Sequence, residues 1–123
     1  MTTYNNAIDR LAYWASIDPN KMAVRLIDSD TTMGLSYGEL DARANVMAQW
    51  LLSQGLQEGD SFAFVMENQP DLCALAWAAR RTGLYYTPVS THLHAEEIAY
   101  ILQDCGARMV VATPHTIGLV PDA

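Results

Sequence analysis

The side chains best suited to chemistry are few. His92-Leu93-His94, followed by Glu96 and Glu97, is the one stretch with a metal-like composition. In an extended segment, residues two apart point to the same side, so His92 and His94 could reach one cation together. A metal centre also wants a third ligand and groups that orient the first two. Neither is evident, and the stretch reads as a loop entering a helix, with Glu96 and Glu97 suiting its positive end. Lys21 is the only lysine, so chemistry built on a phosphate-loop lysine must use it or be absent. Neither G-x-G-x-x-G nor G-x-x-x-x-G-K-[ST] occurs. Asp30-Thr31-Thr32-Met33-Gly34 resembles a threonine-rich loop, yet no lysine follows and a strand comes next, so it reads as a hairpin turn. Asp28 and Asp30 read as solvated turn groups. Cys73 lies mid-helix and Cys105 near a helix end, where a thiol acts as a small packing group. No nucleophile–base set is identifiable. The residues alone therefore assign no catalytic side chain and no metal ligand set.

The elements that would position such groups are clearer. Ala7, Ile8, Leu11, Ala12 and Ala15 mark one face of a helix that Asp18-Pro19 ends. Met22 to Ile27 and Met33 to Tyr37 read as a β-hairpin across the turn chemistry of residues 28–32. Ser36 and Glu39 have capping-box spacing. The helix they open carries Leu40, Ala44, Met47 and Leu51 on one stripe, with Gly55 as its left-handed stop. Phe62 to Met66 is a continuous apolar run, the pattern of a strand buried on both faces in a parallel sheet. Pro70 and Asp71 suit the start of the next helix, and Arg80 and Arg81 suit its negative end. Leu72, Leu75, Ala76 and Ala79 are its expected inner face. Leu84 to Val89 reads as a strand. Ala95 to Gln103 reads as a helix with Ile98, Ile101 and Leu102 inward, and Arg108 to Ala112 as a third strand.

The predicted fold class is α/β: a helix and β-hairpin, then a partial parallel sheet with helical crossovers. Three segments follow. Residues 1–58 hold the helix, the hairpin and the capped helix; residues 59–113 form the β-α-β-α-β unit; residues 114–123 are a tail. No further helix is available to cover the third strand, so the chain is expected to stop within the fold.

Composition narrows the function classes. Half of the 123 residues are hydrophobic and 17% are charged, which excludes a disordered chain. Seven basic against fourteen acidic residues give a net charge of −7, so nucleic acid and anionic membrane are poor partners. No apolar run approaches the roughly 18 residues that span a bilayer. Two cysteines make no disulfide framework, and the start lacks the pattern of a secretory signal, so a cytoplasmic location is expected.

The order of local signals adds a resemblance. Ser36-Tyr37-Gly38-Glu39-Leu40 opens a helix, and Gly59-Asp60 precedes the apolar strand. Asn68-Gln69-Pro70-Asp71 opens the next helix, and Gly83 precedes Tyr86-Thr87-Pro88-Val89. Glu97-Ile98-Ala99-Tyr100-Ile101-Leu102 is followed by Asp104-Cys105-Gly106-Ala107. Over roughly residues 7 to 113 this order resembles the N-terminal region of AMP-forming adenylate ligases, the superfamily of acyl-CoA synthetases, luciferases and peptide-synthetase adenylation domains. Tyr85 to Leu93 is more similar to the fatty-acyl-CoA synthetase branch, because Ser90-Thr91 stands where adenylation modules usually carry aspartate-proline.

The resemblance implies a two-step parent reaction. A fatty acid carboxylate attacks ATP to give an acyl-adenylate and pyrophosphate, and the thiol of coenzyme A then displaces AMP. It implies ATP, Mg²⁺ and coenzyme A for the parent enzyme, and places the phosphate loop, the ribose aspartate and the catalytic lysine beyond the matched region. One position carries over. Many relatives have arginine where His92 stands, on a loop that can approach the coenzyme A nucleotide, which makes His92 a candidate cofactor contact, weaker and pH-dependent. Relatives also tend to have a threonine-like cap where His94 stands, so the following helix is expected to start less firmly. The expected role is a scaffold, inactive alone and partnered by the remainder of a ligase chain. The alternative is a free-standing α/β interaction module that covers its open sheet edge by self-association or by a partner.

Overall fold

The computed structural model describes residues 9–27 and 32–121. Helix α1 spans Arg10–Ile17 and is capped by Asp9, whose carboxylate accepts the Ala12 N–H at 2.9 Å. Ala7 and Ile8, part of its expected apolar face, lie outside the described residues. Strands β1 (Met22–Ile27) and β2 (Thr32–Ser36) pair antiparallel, with an irregularity between Met22 and Val24. The turn read at residues 28–31 also lies outside the described residues.

Helix α2 (Tyr37–Ser53) opens on the expected reciprocal cap. The Ser36 hydroxyl accepts the Glu39 N–H at 3.1 Å, and the Glu39 carboxylate accepts the Ser36 N–H at 2.8 Å. These bonds, with the Ser36 backbone donor foremost, hold the Glu39 carboxyl below its ordinary range. Tyr37 is the first helical residue, so the second strand stops one residue before the sequence reading ends it.

Strand β3 (Ser61–Val65) is the centre of a three-stranded parallel sheet of order β4-β3-β5, with β4 at Tyr85–Val89 and β5 at Met109–Ala112. Helix α3 (Asp71–Thr82) links β3 to β4, and helix α4 (Ala95–Asp104) links β4 to β5. Alternation along β3 sends Phe62 and Phe64 to one face and Ala63 and Val65 to the other. The first face packs against Leu51 of α2 and Leu75, Ala78 and Ala79 of α3. The second packs against Ile98 of α4, with Leu102 and Cys105 beside it. The two crossover helices thus cover opposite faces, the arrangement of a doubly wound sheet.

Three details differ from the sequence reading. Pro70 occupies the cap position before α3, already in helical backbone geometry, and Asp71 is the first helical residue. The fully buried residues of α3 are Ala74, Leu75, Ala78 and Ala79, while Leu72 and Ala76 are only partly covered. This helix is sandwiched between the sheet and α2, and alanines at Ala74 and Ala78 let α2 approach closely. The tail after β5 is not bare: a 3₁₀ turn at Ile117–Leu119 brings Leu119 and Val120 against the face that α4 covers.

Arg81 does more than complement a helix end. Its guanidinium is 14% exposed and pairs with Asp9 at 2.9 Å and Asp41 at 2.6 Å, while also donating to the Asn45 side chain at 2.8 Å. One side chain thereby ties the end of α3 to the start of α1 and to the outer face of α2. Burial alone would raise the Asp9 carboxyl and weaken the guanidinium as a base. The Arg81–Asp9 hydrogen bonds, the Ala12 N–H on Asp9, the Asp41 bond to Arg81 and the opposite charges together outweigh it, so Asp9 sits below its ordinary range and Arg81 above its own. Gly83 closes α3 with φ of 73°, and a Cβ there would meet the Glu58 side chain at 2.7 Å. Its carbonyl accepts the Gly59 N–H at 2.8 Å, which joins the approaches to β3 and β4.

Three outcomes follow for stability. Arg81→Gln leaves Asp9 and Asp41 half-buried without their cation and is expected to lower stability by about 2 kcal/mol in urea unfolding. Because the Asp9 carboxyl is lowered in the folded state, the unfolded chain binds the extra proton first. That contribution is whole above the unfolded value of about 4 and is lost as pH falls through the folded value. Urea midpoints of Arg81→Gln should therefore fall less steeply with acidification than those of the parent chain. Ser36→Ala removes half of the α2 cap and is expected to lower stability by about 1 kcal/mol, read from its thermal midpoint.

Candidate functional site

In open parallel sheets, ligand crevices form at the carboxyl ends of the strands, where the connecting loops diverge. Here those ends are Val65, Val89 and Ala112. Between the first two lies a cleft of about 470 Å³, floored by Phe64, Met66 and Leu72 and walled by Glu67, Pro88, Ser90 and His92.

His92 is exposed at the rim of this cleft. Its loop is fixed by the Ser90 hydroxyl, which accepts the His92 N–H at 3.1 Å. Ser90, which sets this stretch apart from adenylation modules in the sequence, thus also braces the His92 loop. His94 is exposed at the start of α4 and does not line the cleft. The Glu97 carboxylate accepts the His94 N–H at 3.0 Å, so this acid firms the helix start that the histidine was expected to weaken. Among the described residues, no three His, Cys, Asp or Glu side chains converge as a metal site would require.

On the other side of β3, the chain's own side chains fill the sheet end. The Thr116 hydroxyl is buried, donates to the Val65 carbonyl and accepts the Thr113 N–H at 3.0 Å. The Thr113 hydroxyl in turn donates to Glu67 at 2.9 Å, and the Gln69 amide donates to the same carboxylate at 3.1 Å. The backbone N–H of Glu67 first, then the Thr113 hydroxyl, hold this carboxyl below its ordinary range. The cleft therefore presents a fixed anion at Glu67 and an imidazole at His92, above an apolar floor. It holds an imidazole ring, a carboxylate and the hydroxyls of Ser90 and Thr91. Glu67, Thr113 and Thr116 were not singled out in the sequence. The threonines' three-residue spacing is the only local signal of their turn, and Glu67 lies 46 residues from Thr113.

The remaining candidates lie elsewhere. Lys21 stands over the Trp14 ring at 5.3 Å, away from the cleft. Thr32, Met33 and Gly34 belong to β2, and a Cβ at Gly34 would meet Met22 Sδ at 2.7 Å and the Val24 carbonyl at 2.8 Å. That glycine serves strand contact, not a phosphate. Cys73 and Cys105 are half-buried and pack against separate apolar clusters. No described helix is long and apolar enough to cross a membrane.

Comparison with known proteins identifies this architecture. The profile of the family described as AMP-binding enzyme matches residues 11–122. The long-chain-fatty-acid–CoA ligase FadD13 of Mycobacterium tuberculosis is 31% identical over 97 residues, which are 79% of this chain and 19% of that protein. Gramicidin S synthase 2 of Brevibacillus brevis is 32% identical over 88 residues, 72% of this chain and 2% of its own. Among solved structures, the inhibitor-bound N-terminal domain of FACL13 from Mycobacterium tuberculosis superposes with a TM-score of 0.79 at 28% identity, covering 89% of this chain and 27% of that one. The fatty acid AMP ligase of Legionella pneumophila shares the fold at a TM-score of 0.82 and 18% identity, covering 90% of this chain and 20% of that one. The chain thus spans about a fifth of the length of the fatty-acid ligase it matches. It belongs to the AMP-binding enzyme family, the AMP-forming adenylate ligases, and carries the fold of part of their N-terminal subdomain.

Proposed function

We propose that this chain supplies the sheet platform of an ATP-dependent, AMP-forming acyl-CoA synthetase whose acid is a fatty acid. The observation that carries the reading is 31% identity to a long-chain-fatty-acid–CoA ligase over 79% of the chain. In that reading, β3 and its two covering layers hold the cleft floor in place, and the remainder of a ligase chain supplies the reactive groups. ATP and Mg²⁺ are assigned to that remainder. The fixed Glu67 carboxylate beside a single imidazole would repel a triphosphate more than hold it, so no step of the reaction is derived through residues of this chain. Coenzyme A is assigned a peripheral contact only, its nucleotide phosphate against the exposed His92 and away from Glu67. The chain by itself is a scaffold without turnover, and a cytoplasmic location fits the proposed chemistry.

A second reading is a free-standing interaction module. It is favoured by the edge position of β4, where Tyr85 is 68% and Tyr86 43% exposed. Self-association or a partner chain over that edge would cover both rings. Light scattering on the eluted chain separates the two readings, since the module reading requires a dimer or a complex.

The scaffold reading makes two measurable claims. With a long-chain fatty acid, ATP and Mg²⁺, the 123-residue chain is expected to show ATP–pyrophosphate exchange at the level of a protein-free control. Exchange above that level would overturn the assignment of the reactive groups elsewhere. An imidazolium attracts phosphate as a cation, whereas a neutral imidazole does not. Coenzyme A is expected to move the His92 ring resonances and to leave those of His115 unmoved. Equal movement of both histidines, or none, removes His92 as a cofactor contact.

A further inference from the structure

A second groove lies away from the sheet end, where α1, β1, α2 and α3 meet. It measures about 330 Å³, within the range of small-molecule sites. Trp14, Tyr37 and Trp77 form its aromatic walls, with Leu11, Leu40 and Cys73 below. The Trp14 and Tyr37 rings lie 6.1 Å apart and tilted by 34°, a spacing that suits aromatic contact.

The charge around this groove is unlike that of the rest of the molecule. The chain carries −7 overall and has seven basic residues. Three of them touch its walls: Arg10 lines the groove, Lys21 lies over Trp14 at 5.3 Å, and Arg80, which lines the neighbouring groove, lies over Trp77 at 5.2 Å. None of these three has a carboxylate within ion-pairing distance among the described residues, whereas Arg43, Arg81 and Arg108 each do. The neighbouring acid, Asp9, is already committed to Arg81 and to the Ala12 N–H. The tryptophan faces hold the Lys21 and Arg80 cations close to the walls without neutralising them.

We propose that this groove is a binding site for a small aromatic carboxylate, its ring seated among Trp14, Tyr37 and Trp77 and its carboxylate facing the cationic rim. The site is separate from the cleft at the strand ends and does not depend on the synthetase reading. Charge complementarity selects the occupant: an apolar ring alone would fit the walls, but only an anion uses Arg10, in the lining, and Lys21, over the Trp14 wall.

The test uses one ring with three charges: 2-naphthoate, 2-naphthylmethanol and 2-naphthylmethylammonium, each titrated calorimetrically into the 123-residue chain. The carboxylate is expected to bind with one-to-one stoichiometry and at least about tenfold more tightly than the ammonium compound. Arg10→Gln combined with Lys21→Gln is expected to weaken the carboxylate by about tenfold and to leave the alcohol unchanged. Alkylation locates the site, because Cys73 lines the groove and Cys105 does not. Iodoacetamide labelling followed by mass spectrometry should show Cys73 protected by 2-naphthoate and Cys105 unprotected. Equal binding of the three compounds, protection of both cysteines, or no heat with millimolar 2-naphthoate each overturn the proposal.

Discussion

Strand β3 has no polar face. Phe62, Ala63, Phe64 and Val65 are all buried, so apolar layers must cover both sides of one five-residue strand. Burying each of the two phenylalanines and the valine contributes about 1.5–3 kcal/mol when it is removed from water. Most other features of the fold serve that requirement. Two crossover helices on opposite faces are the means of covering a parallel strand twice within one chain. Helix α2 is recruited as an outer layer over α3, and the 3₁₀ turn after β5 extends the cover on the opposite side.

A strand held so tightly fixes its own ends. The loops that leave Val65 and Val89 start from buried, paired positions, and the cleft lies between them. The Thr113–Thr116 turn adds polar order where packing runs out: it satisfies the Val65 carbonyl and pins Glu67 in its ionised form. The result is a cleft with a defined floor of Phe64, Met66 and Leu72.

Local signals made much of this readable in advance. The Ser36–Glu39 spacing, the apolar run at β3 and the glycines after each helix act within a few residues, and the elements stand close to where those signals put them. Arg81 shows where such reading stops. Beside the end of a helix it looked like a dipole complement, but its partners Asp9 and Asp41 lie 72 and 40 residues away. Nothing local distinguishes it from the exposed Arg80 next to it. The same holds for Ala74 and Ala78, whose burial depends on which neighbour α2 becomes. At the candidate site, a family likeness singled out His92, which lines the cleft, whereas Glu67 and Thr116 meet their partners only when β3 and β5 lie side by side.

Pro88 sits in β4, at the margin of the sheet, in register with Phe64. The Tyr85 amide donates inward to the Asp60 carbonyl, so strict alternation turns Tyr86 and Pro88 outward. An imino acid on that outer rim has no hydrogen to give. A strand from a second molecule that tried to zip along the rim would find no donor at the second of the two outward positions, Tyr86 and Pro88. The residue that leaves inward pairing intact thus guards the sheet against runaway edge-to-edge stacking.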